Sequence, residues 1–211
     1  MAIVNRGFQG RRRQPGAGLI PPGQYVVDDF PVLTAGPTPS VPLDDWDFTI
    51  VDDSGAVAAR WTWEELRSLP GEDITVDIHC VTKWSKLGTW QEVSVDTILD
   101  GIDTAAEFVV AESHGGYTTN LPLADVLEGQ AWVAYGFEDE DLEPQHGGPA
   151  RLLVPHLYFW KSAKWLRGLR LSDEDEPGSG RASDTTTTAI RGVSSATGVT
   201  DGGALAGGDC R

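Results

Sequence analysis

The segment DIHCVTKWS, residues 77–85, sets a cysteine between a histidine and a short polar run, in a chain that holds two cysteines among 211 residues. Four chemistries are open to Cys80: a buried core thiol, a nucleophile, half of a disulfide, or a ligand to a metal. Cys210 stands one residue from the end of a glycine-rich tail, which makes it a poor disulfide partner. A nucleophile needs a base, and the adjacent His79 is badly set for that, because neighbouring side chains on a strand point to opposite faces. A solitary thiol is most often a small buried hydrophobe. The segment alone leaves core packing and metal ligation both open.

A second constellation lies later in the chain. From Pro144 to Ser172 there is no Asp or Glu, although the chain holds 32 of them. The same stretch carries Arg151, Lys161, Lys164, Arg167 and Arg170, with His146 and His156. A cationic island in a chain of formal charge −16 suits an anion; it also suits pairing with the plentiful acidic loops. The run FWKSAKW favours the anion. Lys161, Ser162 and Lys164 are closely spaced donors framed by Trp160 and Trp165, and such a turn combines side-chain and backbone N–H groups around a phosphate. Neither GxxxxGK[ST] nor GxGxxG occurs, so this is not a nucleotide loop of a familiar kind.

These groups need elements to position them. DITVDIHCV alternates around Ile74, Val76 and Ile78 and predicts a strand that delivers Cys80 at its C-terminal end. WDFTIV reads as a strand ended by the turn DDSG. TWEELRSLP reads as a short helix, with Thr62 as cap, Glu65 three residues on, and Pro70 past its end. WQEVSVDTILDGI gives a helix over Val95–Leu99, and AEFVVAES a strand running into the turn HGGY. TTNLPLADVLEG reads as a loop and short helix, AWVAYGF as a strand, FEDEDLE as a solvated acidic loop, and ARLLVP as a buried strand. FWKSAKWLRGLRLS runs into a final helix or strand. Short strands mixed with short helices, without βαβ alternation or repeats, predict an α+β domain.

Composition bounds the rest. With 40% hydrophobic residues, the chain is long enough for one domain with a well-buried core, and eight Trp predict aromatic-lined walls. No run of about 18 apolar residues is present, so no membrane span is expected. Arg11, Arg12 and Arg13 precede no apolar stretch of signal-peptide type, which leads to the expectation of a cytoplasmic protein with a solvated basic tail. The acidic balance argues against nucleic acid, which needs clustered cations. It would suit a salt-rich cytoplasm, where screening relieves self-repulsion. Three segments are expected: a disordered tail over 1–18, one domain over 19–178, and a low-complexity tail over 179–211 without aromatic residues.

The pieces DIHCVTKWS, AESHGGYTTNLPL, GGPARLLVPHLYFWKSAKWLRGL and SDEDEPG, in that order, resemble the molybdopterin-binding domain of the sulfite oxidase superfamily. They are most similar to its short, haem-free sulfite oxidase-like branch, over roughly residues 20–178. The resemblance implies a strand-rich oxidoreductase with a molybdenum–molybdopterin cofactor and Cys80 as the protein's thiolate ligand to the metal. Molybdenum is soft enough to favour sulfur, and a coordinating thiol must be deprotonated. A pterin that brings two sulfurs of its own needs one cysteine from the protein. The resemblance further implies that His146, Arg151, Lys161, Ser162 and Lys164 hold the pterin and its phosphate, and that Thr82 bonds the cofactor beside the metal ligand. His114 is expected to be an exposed turn residue, Gly115 and Gly116 to allow close backbone approach, and Trp84 and Tyr117 to be wall residues.

Two departures stand out. The early segment that carries a sulfite-binding arginine in sulfite oxidases reads YVVDDFPVL here, and Asp28 and Asp29 would repel a sulfite dianion. No CxxCH is present, so no haem is expected and electrons must pass to or from a separate partner. Relatives continue after EPG with a pattern like Phe-Trp-Glu, Gly-Tyr-His, Gly-Asp-Pro-Trp. SGRASDTTTTAIRG can spell such a pattern one base out of frame, so a frameshifted C-terminus is expected. The leading reading is two-electron oxygen-atom transfer on a small substrate, by sulfite-like oxidation or by sulfoxide or N-oxide reduction. The alternatives are a cofactor-free thiol redox protein using Cys80 and a non-catalytic or degenerate binding module.

Overall fold

Phe48 and Ile50 are fully buried while Asp47, Thr49 and Val51 are half-exposed, the alternation of a strand with one face on the core. The same arithmetic, repeated along the chain, gives two sheets and two short helices in the computed structural model, which describes residues 20–34 and 36–179. The expected tails, including Cys210 and the stretch for which a frameshift is expected, lie outside the described residues, apart from Ser179. That residue exchanges hydrogen bonds with Thr118: its N–H donates to Thr118 Oγ1 at 2.9 Å, and its Oγ accepts from the Thr118 N–H at 2.7 Å.

In chain order the strands are β1 (Tyr25–Val26), β2 (Asp47–Val51), β3 (Val57–Thr62), β4 (Glu72–His79), β5 (Trp84–Ser94), β6 (Phe108–Ser113), β7 (Thr118–Pro122), β8 (Trp132–Phe137), β9 (Glu140–Asp141), β10 (Arg151–Leu153) and β11 (Leu166–Ser172). Helix α1 spans Trp63–Ser68 and α2 spans Val95–Leu99. One sheet runs β3-β2-β11-β6-β7, with β2 and β11 parallel and the other pairs antiparallel. The other is organised on β5, which pairs along its length with β4 and also with β1 and β8, β8 in turn carrying β9 and β10. Strand-rich mixed sheets with two one-turn helices match the α+β expectation.

Helix α1 starts as its sequence requires. The Thr62 hydroxyl accepts from the Glu65 N–H, and the Glu65 carboxylate accepts from the Thr62 N–H at 2.8 Å. This capping box satisfies two otherwise orphaned donors and stabilises the start by about 1 kcal/mol.

The expectations fail where local pattern was weak. TTNLP, read as a loop, is strand β7, whose buried Thr119 and Asn120 offer no apolar alternation to read. Residues 84–94 form the longest strand, although Lys86, Thr89 and Gln91 interrupt its apolar residues; partners on either side supply the hydrogen bonds that pattern did not announce. The acidic run after Phe137 is a tight hairpin rather than a loose excursion, with Glu138 and Asp139 at φ 53° and 68° between β8 and β9. FWKSAKWLRGLRLS, open between helix and strand in the sequence, takes the strand: a 3-10 turn at Phe159–Lys161 leads into β11.

Candidate cofactor site

Strand β4 ends at His79, so Cys80 opens the turn to β5 rather than closing the strand. The Lys83 N–H donates to the Cys80 carbonyl at 3.0 Å and the Cys80 N–H to the Trp84 carbonyl at 2.9 Å. Lys83 takes φ 75° to complete the turn. Cys80 is 6% exposed, while the neighbouring Val81 is 53% exposed. The Thr82 hydroxyl donates to Cys80 Sγ at 3.1 Å.

A polar chain holds this turn from behind. Gln24 Nε2 donates to the Cys80 carbonyl at 3.1 Å, and Gln24 Oε1 accepts from the Ser85 hydroxyl at 2.5 Å. Ser85 Oγ lies 2.8 Å from His79 Nδ1. Because the serine proton goes to Gln24, His79 Nδ1 is the donor to Ser85, which fixes that tautomer. His79 is completely buried, with its Nδ1 committed to Ser85.

The cationic island splits in two. Arg170 belongs to the packing: it makes a two-pronged pair with Glu176 at 2.7 and 2.9 Å and reaches Glu112 at 3.4 Å. Arg167 is exposed, as is His114. Arg151 is 1% exposed, and its guanidinium donates to the carbonyls of His146 at 2.6 Å and Ser162 at 2.7 Å while lying 4.0 Å over the Phe159 ring. Burial pulls its pKa down to about 9. Lys164 donates to the carbonyls of Gln145 at 2.7 Å and Leu33 at 3.0 Å; burial, then the neighbouring Arg151, bring its pKa down to about 8. Among the described residues no carboxylate meets Arg151 or Lys164. Lys161, 4% exposed, donates to the backbone and side-chain oxygens of Asn120 and lies 4.6 Å from the Trp160 ring. The Ser162 hydroxyl accepts from the Val154 N–H at 3.0 Å.

Cys80 and the cationic loop are neighbours. His79 and Tyr158 pair as an isolated parallel bridge, which lays the 158–164 segment against the end of β4. Between them stands an aromatic cluster. Phe30 stacks on His146 with centroids 4.0 Å apart, and lies 5.9 Å from Phe159, 6.4 Å from Trp84 and 5.9 Å from Trp90. Burial, ahead of the surrounding charges, holds the His146 pKa below its ordinary value. Three ring nitrogens of this cluster, Trp84 Nε1, Trp90 Nε1 and His146 Nδ1, are buried without a hydrogen-bond partner.

The expected site residues therefore converge, with Thr82 on the sulfur and His146, Arg151, Lys161, Ser162 and Lys164 on the facing segment. Tyr117 adds to the wall, donating to the Trp160 carbonyl at 2.8 Å. Sequence reading missed Gln24, Phe30, Ser85, Asn120 and Phe159. None sits in a spacing that announces a role, and Gln24 and Phe30 come from the N-terminal strap, which only the β1–β5 pairing brings to the site. Buried cations facing carbonyls and orphaned ring nitrogens fit a polar heterocycle with an anionic group. No acidic, histidine or cysteine cluster that could hold a metal by itself is present among the described residues, so any metal at Cys80 must bring its other ligands.

The family described as oxidoreductase molybdopterin binding domain matches residues 35–179. The uncharacterized oxidoreductase YuiH of Bacillus subtilis is 39% identical over 178 residues, covering 81% of this chain and 88% of its own. The protein-methionine-sulfoxide reductase catalytic subunit MsrP of Gluconobacter oxydans is 30% identical over 53% of this chain and 42% of its own. The mitochondrial sulfite oxidase of Drosophila melanogaster is 24% identical over 77% of this chain, which spans a third of that protein. The crystal structure of the sulfane dehydrogenase SoxCD from Paracoccus pantotrophus shares the fold, with a TM-score of 0.59 at 19% identity over 65% of this chain and 40% of that one. The chain belongs to the molybdopterin-binding oxidoreductases of the sulfite oxidase superfamily, and it is an enzyme.

Proposed function

We propose that this enzyme transfers an oxygen atom, with two electrons, at a molybdenum–molybdopterin bound through the Cys80 thiolate, and that its substrate is a small neutral S-oxide or N-oxide. The observation that carries the reading is the arrangement of Cys80, with the Thr82 hydroxyl on its sulfur, beside a segment whose buried Arg151 and half-buried Lys164 meet carbonyls and, among the described residues, no carboxylate. When bound, the cofactor supplies the redox change and the oxygen-atom exchange. Arg151, Lys161 and Lys164 would hold its phosphate by charge-assisted bonds, with Ser162 in the same turn and His146 beside the pterin. Thr82 would donate to the thiolate and lower its electron-donating power. The packed rings of Phe30, Trp84, Trp90 and Phe159 make an apolar surrounding, in which each of these contacts would be stronger than in water.

Electrostatics supports a neutral substrate. The chain carries formal charge −16, and exposed Asp28 and Asp29 lie on the strap that packs across the site. A sulfite dianion approaches against that field; a neutral oxide does not. In the proposed direction a sulfoxide takes two electrons and two protons to give the corresponding sulfide and water, the electrons coming from a separate protein donor. A cytoplasmic site of action is part of the proposal, supported by an acidic surface and a cysteine count that offers no disulfide framework.

The test is elemental analysis and pterin release from the full chain made in a host that synthesises the cofactor. The reading requires stoichiometric molybdenum, lost on Cys80→Ser, and dimethyl sulfoxide or trimethylamine N-oxide reduction with a dye donor that exceeds sulfite oxidation. Metal-free protein with Cys80-dependent disulfide exchange would establish the thiol redox alternative. Protein with neither property would establish the binding module.

A further inference from the structure

A cleft of about 560 Å3 lies away from Cys80, at the other end of the β4–β5 hairpin. Ile74, which lines it, is six strand residues from Cys80, about 20 Å at ~3.4 Å per residue. Glu72 and Glu92 stand directly opposite each other across the β4–β5 ladder, with Ile74 opposite Trp90 in the same register. Trp132 of β8, opposite Ser94, closes one wall, and Asp96 and Glu128 complete the rim. Among the described residues no Lys, Arg or His lines the cleft.

The four carboxylates are not equivalent. Asp96 is engaged, accepting from the N–H groups of Glu128 at 2.9 Å and Gly129 at 2.8 Å. Glu72 is exposed. Glu92 is 2% exposed, and its Oε2 has no hydrogen-bond partner. A buried carboxyl oxygen without a partner is costly, and a like-charged residue directly across the ladder adds to the cost. Burial, then the Glu72 charge, push the Glu92 pKa up to about 8, the same imbalance read another way.

We propose that this cleft binds an organic cation, an alkylammonium or alkylguanidinium group, with Glu92 and Glu72 as counter-ions and Trp132 as its wall. The cation supplies the positive charge that the lining lacks; Glu92, which keeps its proton in the empty cleft, releases it to solvent as the cation bonds the orphaned Oε2. The Trp132 ring offers a cation–π face, and Ile74 an apolar surface for the alkyl stem. A bare metal ion suits the site less well, since no group of three or more metal-ligating side chains is assembled among the described residues. The group has two sources: a free amine, or an arginine or lysine side chain of another protein.

Calorimetric titration of the full chain with agmatine, with acetyl-Gly-Arg-Gly-amide and with neutral N-butylurea tests the site. Saturable single-site binding of a cation is expected, with none for N-butylurea. Glu92→Gln should weaken it about tenfold or more, the scale of one charge-assisted contact. Glu72→Gln, at an exposed position that does not threaten folding, should weaken it severalfold. Tighter binding of agmatine assigns the site to a free amine, and tighter binding of the peptide to a protein side chain. Absence of saturable binding by either cation overturns the proposal, as does binding unchanged in both variants or matched by N-butylurea.

Discussion

Gln24 reaches across 56 positions of sequence to donate its side-chain N–H to the carbonyl oxygen of Cys80 at 3.1 Å. With its other end it accepts the Ser85 hydroxyl proton, and Ser85 in turn accepts from His79. One amide thus ties the N-terminal strap to the turn that carries the thiol.

Gln24→Ala and Ser85→Ala should each cost about 1 kcal/mol, rising toward ~3 kcal/mol where the removed partner leaves a buried group unsatisfied. The two losses should not add, because both break the same chain. Denaturant unfolding checks the stability. Alkylation of Cys80 by iodoacetamide in cofactor-free protein checks the positioning, and the rate should rise in both variants as the turn loosens. Equal rates in wild type and variants would mean that the chain leaves the thiol unaffected.

Arg151 should not tolerate lysine. Its guanidinium donates to three carbonyls, those of His146, Ser162 and, at 3.5 Å, Leu152, and one ammonium cannot reproduce that planar fork in a buried site. Arg151→Lys is expected to lower both stability and bound pterin, by about 2 kcal/mol or more in unfolding. Lys164→Met, at a less buried position, should lower pterin content with little change in unfolding. Thermal melts alongside pterin fluorescence separate the two.

Lys164 predicts a pH dependence of anion binding. Its folded pKa is depressed to about 8 from 10.5, so the folded state gives up this proton first, and stability rises as pH climbs from about 8 toward 10.5. Below about 8 the ammonium is charged and ready for an anion. Phosphate affinity of the cofactor-free protein should therefore fall above about pH 8, and Arg151, with its pKa brought down to about 9, should extend the fall. Lys164→Arg should shift the onset upward; titration calorimetry at several pH values reads it.

Glu92 predicts the opposite slope in stability. Its folded pKa is raised from 4.5 to about 8, so the folded state keeps a proton that the unfolded chain gives up. Stability should fall as pH rises from about 4.5 to about 8 and level off above, by at most about 5 kcal/mol. Glu72, Asp73, Asp96 and Glu128 are the carboxylates around the group. Glu92→Gln should flatten the profile, as measured by urea unfolding at matched ionic strength.

Local pattern carried the parts of this protein whose determinants are close in sequence. The Ile74–Val76–Ile78 alternation announces β4 and where it delivers Cys80, the Thr62–Glu65 spacing announces α1, and the absence of acid between Pro144 and Ser172 announces the cationic loop. Tertiary structure alone decided which cations face the site. Arg170 found Glu176 and left the island, while Arg151 was buried against Phe159 with carbonyls for partners. It also placed Phe30 on His146, and set Glu92 opposite Glu72 with one carboxyl oxygen unpartnered. The reason is physical: strand period and capping depend on neighbours a few residues away, whereas burial and charge pairing depend on which strands become adjacent. A local window of sequence does not contain the residue, tens of positions distant, that desolvates a charge or leaves it unpaired.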